Sequence, residues 1–178
     1  MQTHFFIMAL QFTKTLPDSL DQINFQGEYK EFIIHEKEEL RTITNSDEMV
    51  SLYGKVKWEI VDILNQEYSM ILEAPFDLYH WLDHHENDEV AYFINEAGSN
   101  CLNYAEFKMP SKFHLWLGRK GFVIGIEQKG KGFNAKDIHQ NKQKENQGAA
   151  FDFFRRCDSV VFFDQSQDAR TVYLEYIF

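Results

Sequence analysis

Cysteine is nearly absent from this chain: Cys101 and Cys157 are the two among 178 residues. They lie far apart and outside any metal-ligand spacing, which excludes a disulfide framework and leads us to expect reduced thiols in a cytoplasmic protein. Proline is scarce as well. Pro17, Pro75 and Pro110 each fall at a plausible turn or element boundary, and no Pro-rich linker divides the chain. Positive charge is in short supply, with 18 Lys and Arg against 28 Asp and Glu and a formal net charge of -10. That balance argues against a nucleic-acid partner, because phosphate backbones are held by clustered cations. Any phosphate site must be small and local. Long apolar runs are missing too: the opening MQTHFFIMALQF lacks a basic leader and is too short to cross a bilayer, so no membrane partner is expected.

What is present suits a sizeable core. Hydrophobic residues make up 44% of the chain, with seventeen Phe, and a chain of this size buries roughly 70% of the surface it exposes when unfolded. We expect an N-terminal arm or extension over 1–38 and one domain over 39–178. EYKEFIIHE alternates loosely, and LRTIT at 40–44 reads as a short strand. Asn45, Ser46 and Asp47 then offer caps for a helix running to about Gln66, with Met49, Leu52, Tyr53, Val56, Ile60, Ile63 and Leu64 at helical spacing. PFDLYHWLDHH suggests a second short helix. A third, capped by Asn87 and Asp88, is expected over about 89–105. Its apolar stripe is Val90, Ile94, Ala97 and Cys101, bordered by the polar row Glu96, Asn100 and Tyr104. KFHLWLG and FVIGIEQ alternate as a hairpin, GAAFDFFRRC reads as a helix, and SVVFFD with TVYLEYIF closes a second hairpin. The order predicts an α+β two-layer sandwich, with helices on one face of a mixed, mostly antiparallel sheet.

Chemistry is concentrated in two places. Glu96 and Asn100 sit one turn apart on a helix edge, where a carboxylate can orient or deprotonate a water and an amide oxygen can ligate a hard cation such as Mg2+. After the FVIGIE strand comes QKGKGF, residues 128–133, whose Gly130 and Gly132 suit a close backbone approach. YHWLDHHEND places His80 and His84 four residues apart, a spacing able to bind a transition metal, although the helix dipole alone also favours histidine near a helix end.

Together these motifs resemble the GHKL, or Bergerat-fold, ATPase superfamily, which implies a Bergerat fold over most of the chain from about Leu40 onward. The family's first box, Glu-x-x-x-Asn on a helix, is matched by Glu96 and Asn100, with Tyr104 four residues further on. Its second box, Asp-x-Gly-x-Gly-Phe after a strand, is matched by QKGKGF except at Gln128. A lid follows at 134–147 and a glycine-led helix at Gly148. Among the branches, the small ATPase domain of anti-sigma regulatory factors fits best. The resemblance implies binding of ATP with Mg2+, action as a protein serine/threonine kinase or ATPase, and a regulatory protein partner. It implies Glu96 acting on the attacking water or hydroxyl and Asn100 on Mg2+. Gln128, Gly130, Lys131, Gly132, Tyr104 and Gly148 would face the nucleotide, with Lys136, Lys142 and Lys144 reaching for phosphates. Gln128 departs from the pattern: a neutral amide accepts from an exocyclic amine more weakly than a carboxylate. The glycine-led helix also keeps a single glycine. A degenerate member serving as a protein-interaction module, with the N-terminal arm as a dimerisation or partner-binding element, is therefore a second expectation.

Overall fold

The computed structural model describes residues 9–35, 47–79, 88–145 and 149–178. Six strands form one mixed sheet in the order β1-β5-β6-β4-β3-β2. They are β1 Leu10–Gln11, β2 Phe25–Ile33, β3 Lys112–Gly118, β4 Gly121–Glu127, β5 Val160–Phe163 and β6 Thr171–Ile177. Only β1 and β5 run parallel; every other neighbouring pair is antiparallel. The helices are α1 Leu16–Gln22, α2 Asp47–Glu67, α3 Glu89–Tyr104, α4 Ala135–Glu145 and α5 Ala149–Arg156. This is the α+β two-layer sandwich expected from the element order. No helix among the described residues is long and apolar enough to cross a membrane.

The main core lies between the sheet and α2, α3 and α5. Strand alternation sends Phe113, Leu115 and Leu117 of β3, and Phe122, Ile124 and Ile126 of β4, to that side. They meet Val56, Ile60 and Leu64 of α2 and Val90, Ile94 and Ala97 of α3. The two helices approach closely because Gly98 has no Cβ: one there would overlap the end of the Tyr53 ring. At the far end of the sheet, the Tyr68 hydroxyl donates toward the Gly118 and Gly121 carbonyls and accepts from the Gly118 N–H, clasping the β3–β4 turn.

The stretch expected as an arm is woven into the sheet. β2 makes a long ladder with β3, β1 rests on β5, and α1 covers part of the reverse face. There Ile23, Leu16 and Leu20 pack on Val123, Phe162 and Tyr173. A capping box explains α1: the Thr15 hydroxyl and the Asp18 carboxylate satisfy each other's backbone N–H groups, with Pro17 in the first turn. Because α1 shields the Val123 side, β4 is buried on both faces for most of its length.

Two expectations meet a different local outcome. Of PFDLYHWLDHH only residues 75–79 are described, irregular to 77 with a turn at 78–79, and the rest of the expected helix lies outside the described residues. The polar stretch after Phe133 is helical as α4, started by Asn134, whose side chain accepts from the Asp137 N–H at 3.0 Å. LRTIT at 40–44 and the pair His80 and His84 lie outside the described residues.

Candidate functional site

Glu96, Asn100 and Tyr104 descend the edge of α3 at i, i+4 intervals, as their spacing requires. The helix is held by its other flank, where Val90, Phe93, Ile94, Ala97 and Cys101 are buried. Asp88 fixes its start by accepting from the Ala91 N–H at 3.0 Å. Glu96 and Asn100 are half-buried, and Tyr104 is 81% exposed. The row therefore runs from the protein's interior edge to solvent.

Opposite the row, β4 ends in the loop 128–132. Odd and even residues of β4 face opposite ways, so Ile126 and Gln128 turn to the α3 side while Glu127 turns to the reverse face. Side chains from the two motifs meet across one cavity of about 870 Å³. Its rim and polar wall comprise Glu96, Asn100, Tyr104, Glu106, Gln128, Lys131, Gly132 and Arg170. Ile126, Phe133, Ile138, Phe151, Phe154, Phe163 and Val172 make the apolar wall, with Ala97, Cys101 and Ala150. The site thus draws on α3, β4, β5, β6, α4 and α5.

The loop carries most of the detail. The Gln128 N–H donates to the Arg170 carbonyl at 2.8 Å, and its side-chain Nε2 donates to the Lys131 carbonyl at 3.1 Å. The amide is thereby oriented, with Oε1 left as the acceptor end. Gly130 has φ +84°, the left-handed region that favours glycine. A Cβ at Gly130 would overlap the Glu106 carboxylate and the Phe107 ring, and one at Gly132 would overlap Asp168. Both glycines therefore admit neighbouring parts of this same chain. Glu106 also accepts from the Lys131 N–H at 2.8 Å, and Arg170 Nε donates to the Gly130 carbonyl at 2.9 Å while its other end pairs with Asp168 at 3.0 Å. A short antiparallel bridge between Phe133 and Ala169 anchors the loop's exit.

Burial pushes the Glu96 carboxyl above the usual carboxylate range. Burial likewise lifts the Cys101 thiol to about 12, so it lines the cavity as an apolar group rather than a nucleophile. Tyr92 and Tyr53, both held high by burial, feel the Glu96 charge. Lys136 is exposed on α4, whereas Gly148 and the side chains of Lys142 and Lys144 lie outside the described residues.

Of the site residues expected from the motifs, Glu96, Asn100, Tyr104, Gln128, Lys131 and Gly132 share the cavity. Gly130 shapes the loop beside it. Sequence reasoning missed Glu106, Arg170 and the phenylalanine wall. Phe151 and Phe154 carried a signal in their helical spacing within GAAFDFF. Arg170 and Glu106 did not, because each acts on a loop distant in sequence. No family model, curated protein or solved structure matches this chain.

Proposed function

We propose that this chain is an ATP-binding regulatory domain, of the kind that acts on a protein partner. The observation that carries the reading is the convergence of Glu96, Asn100 and Tyr104 with Gln128, Lys131 and Gly132 on one cavity. Its volume is within the range of small-molecule sites, roughly 300–1,000 Å³. An apolar wall of phenylalanines suits the flat face of a base, and Gln128 Oε1 offers an acceptor beside it. Among the described residues no cluster of three or more His, Cys, Asp and Glu could cage a metal ion. Mg2+ arriving with phosphates would take one or two protein ligands, with Asn100 as the candidate. Bound there, Mg2+ would neutralise phosphate charge. Glu96, its carboxyl raised by burial, has a strengthened affinity for the proton of a water or hydroxyl.

A second reading, a protein-interaction module that has lost nucleotide turnover, is favoured by Gln128 and by the glycines' contacts. The amide is neutral, and the clearance at Gly130 and Gly132 is filled by Glu106 and Asp168. Thermal shift with ATP, ADP or GTP and Mg2+ separates the two, since a ligand that binds the native state alone raises apparent stability. The expected result is a rise with ATP and Mg2+ that Asn100→Ala removes, with loss of Mg-nucleotide binding by calorimetry. Glu96→Gln should keep binding and lose turnover. No shift at millimolar nucleotide would leave the interaction module as the reading.

A further inference from the structure

Gln128 brings an amide to the cavity, and an amide has two unlike ends: its oxygen accepts and its nitrogen donates. A carboxylate would accept through either oxygen, so a chain with glutamine here must fix which end a ligand meets. The fixing bond runs from Nε2 to the Lys131 carbonyl at 3.1 Å. Because a carbonyl only accepts, turning the amide over would set oxygen against oxygen. Oε1 is therefore the end left to the cavity for as long as that carbonyl stays in place.

Two charged side chains distant in sequence hold it there. The Gly130 carbonyl accepts from Arg170 Nε at 2.9 Å, and the Lys131 N–H donates to Glu106 Oε2 at 2.8 Å. These are the two ends of one peptide unit. A cation thus meets the negative end of its dipole and an anion the positive end, and charge-assisted bonds of this kind are roughly twice as strong as neutral ones. The unit needs such a hold. Gly130 lies at φ +84°, and a glycine passes between conformations that other residues avoid, so this peptide is free to turn over unless clamped. Turning it would swing Lys131 and draw its carbonyl away from Gln128. Arg170 also secures the start of the loop, since its own carbonyl accepts the Gln128 N–H at 2.8 Å. Asp168, 3.0 Å from its guanidinium, steadies it in turn.

We propose that Glu106 and Arg170 are positioning residues for ligand selectivity: by clamping the Gly130–Lys131 peptide they present Gln128 as an acceptor, so the cavity prefers a base bearing an exocyclic amine to one bearing a carbonyl in its place. The proposal rests on the nucleotide reading above and adds which residues decide the base. ATP and inosine triphosphate differ at that group and share the rest of the molecule, so each is titrated with Mg2+ by calorimetry. The parent chain should bind ATP more tightly by roughly tenfold, the effect of one neutral hydrogen bond and of leaving its acceptor unpaired. Glu106→Ala and Arg170→Met should each bring the ratio close to one, because a released amide offers its nitrogen to a carbonyl as readily as its oxygen to an amine. Glu106→Gln keeps an acceptor for the Lys131 N–H and should keep the preference. Both side chains are exposed, so thermal melts should stay close to that of the parent chain. Their charges act on the triphosphate that the two probes share and cancel in the ratio, whereas a merely structural role would weaken both nucleotides alike. Equal binding of the two by the parent chain, or a preference that survives Glu106→Ala or Arg170→Met, overturns the proposal and leaves the nucleotide reading standing. Binding of neither by the parent chain overturns both.

Discussion

Gln128 is the residue at which the motif and the structure have most to say to each other. Its Nε2 donates to the Lys131 carbonyl, a bond that a carboxylate cannot make. Gln128→Glu should therefore set an oxygen against that carbonyl and cost about 1–3 kcal/mol at neutral pH. A protonated carboxyl could donate in its place, so the folded pKa of the new acid would be raised. The stability is then present below the ordinary glutamate value, about 4.3, and lost as pH rises through the raised one. Urea unfolding at about pH 4 and about pH 7.5 checks the sign: the deficit relative to the parent chain should be larger at the higher pH. QKGKGF could be read as a strand-to-loop bend because two glycines follow an alternating run. That its glycines make room for Glu106 and Asp168 could not, since neither neighbour is local in sequence.

Among the elements, α4 shows how a polar segment can still pack. Ala135 and His139 are buried and Ile138 lines the cavity, while most of its other described residues are exposed. His139 lies between the rings of Phe12 and Phe151, at 5.5 and 5.9 Å, and among the described residues its Nδ1 has no hydrogen-bond partner. Burial, and then the Arg155 charge, lower its pKa below 6.5. Stability from the neutral ring is thus present above 6.5 and lost as pH falls toward the folded value. Hydrogen exchange of the α4 amides should quicken on going from about pH 7.5 to about pH 5 beyond the intrinsic chemical dependence. His139→Phe should abolish that excess; equal excess in the variant would refute it. The weak apolar periodicity of α4 gives no helix signal in the segment expected as a lid, although Asn134 and Asp137 already form a local start signal. By contrast α2, α3 and both hairpins have periods strong enough to be read directly, and the structure places their boundaries within a residue or two of the expected ones.

At the scale of the whole molecule, two cores share one sheet. The larger lies against the helices, the smaller under α1, and β4 contributes to both through Ile124 and Val123. Residues read from sequence as an arm supply both sheet edges and the fully buried Ile23 and Ser19. Ser19 and Lys14 both reach the buried Glu175 carboxylate on β6, so removing them would leave a charge without its partners. Deletion of residues 1–33 should therefore abolish cooperative unfolding and drive the remainder into aggregates, whereas a soluble product with a sharp melt would show that 34–178 folds alone. Tertiary pairing is what hides this in the sequence: nothing local to β2 names β3 as its partner. The Tyr68 phenol is pushed up to about 12, chiefly by burial, and ionising it removes the donor proton that holds the β3–β4 turn. The turn at the end of the sheet remote from the cavity therefore depends on a single phenolic proton, and Tyr68→Phe, which removes it and keeps the ring, should loosen that turn while leaving the cavity wall in place.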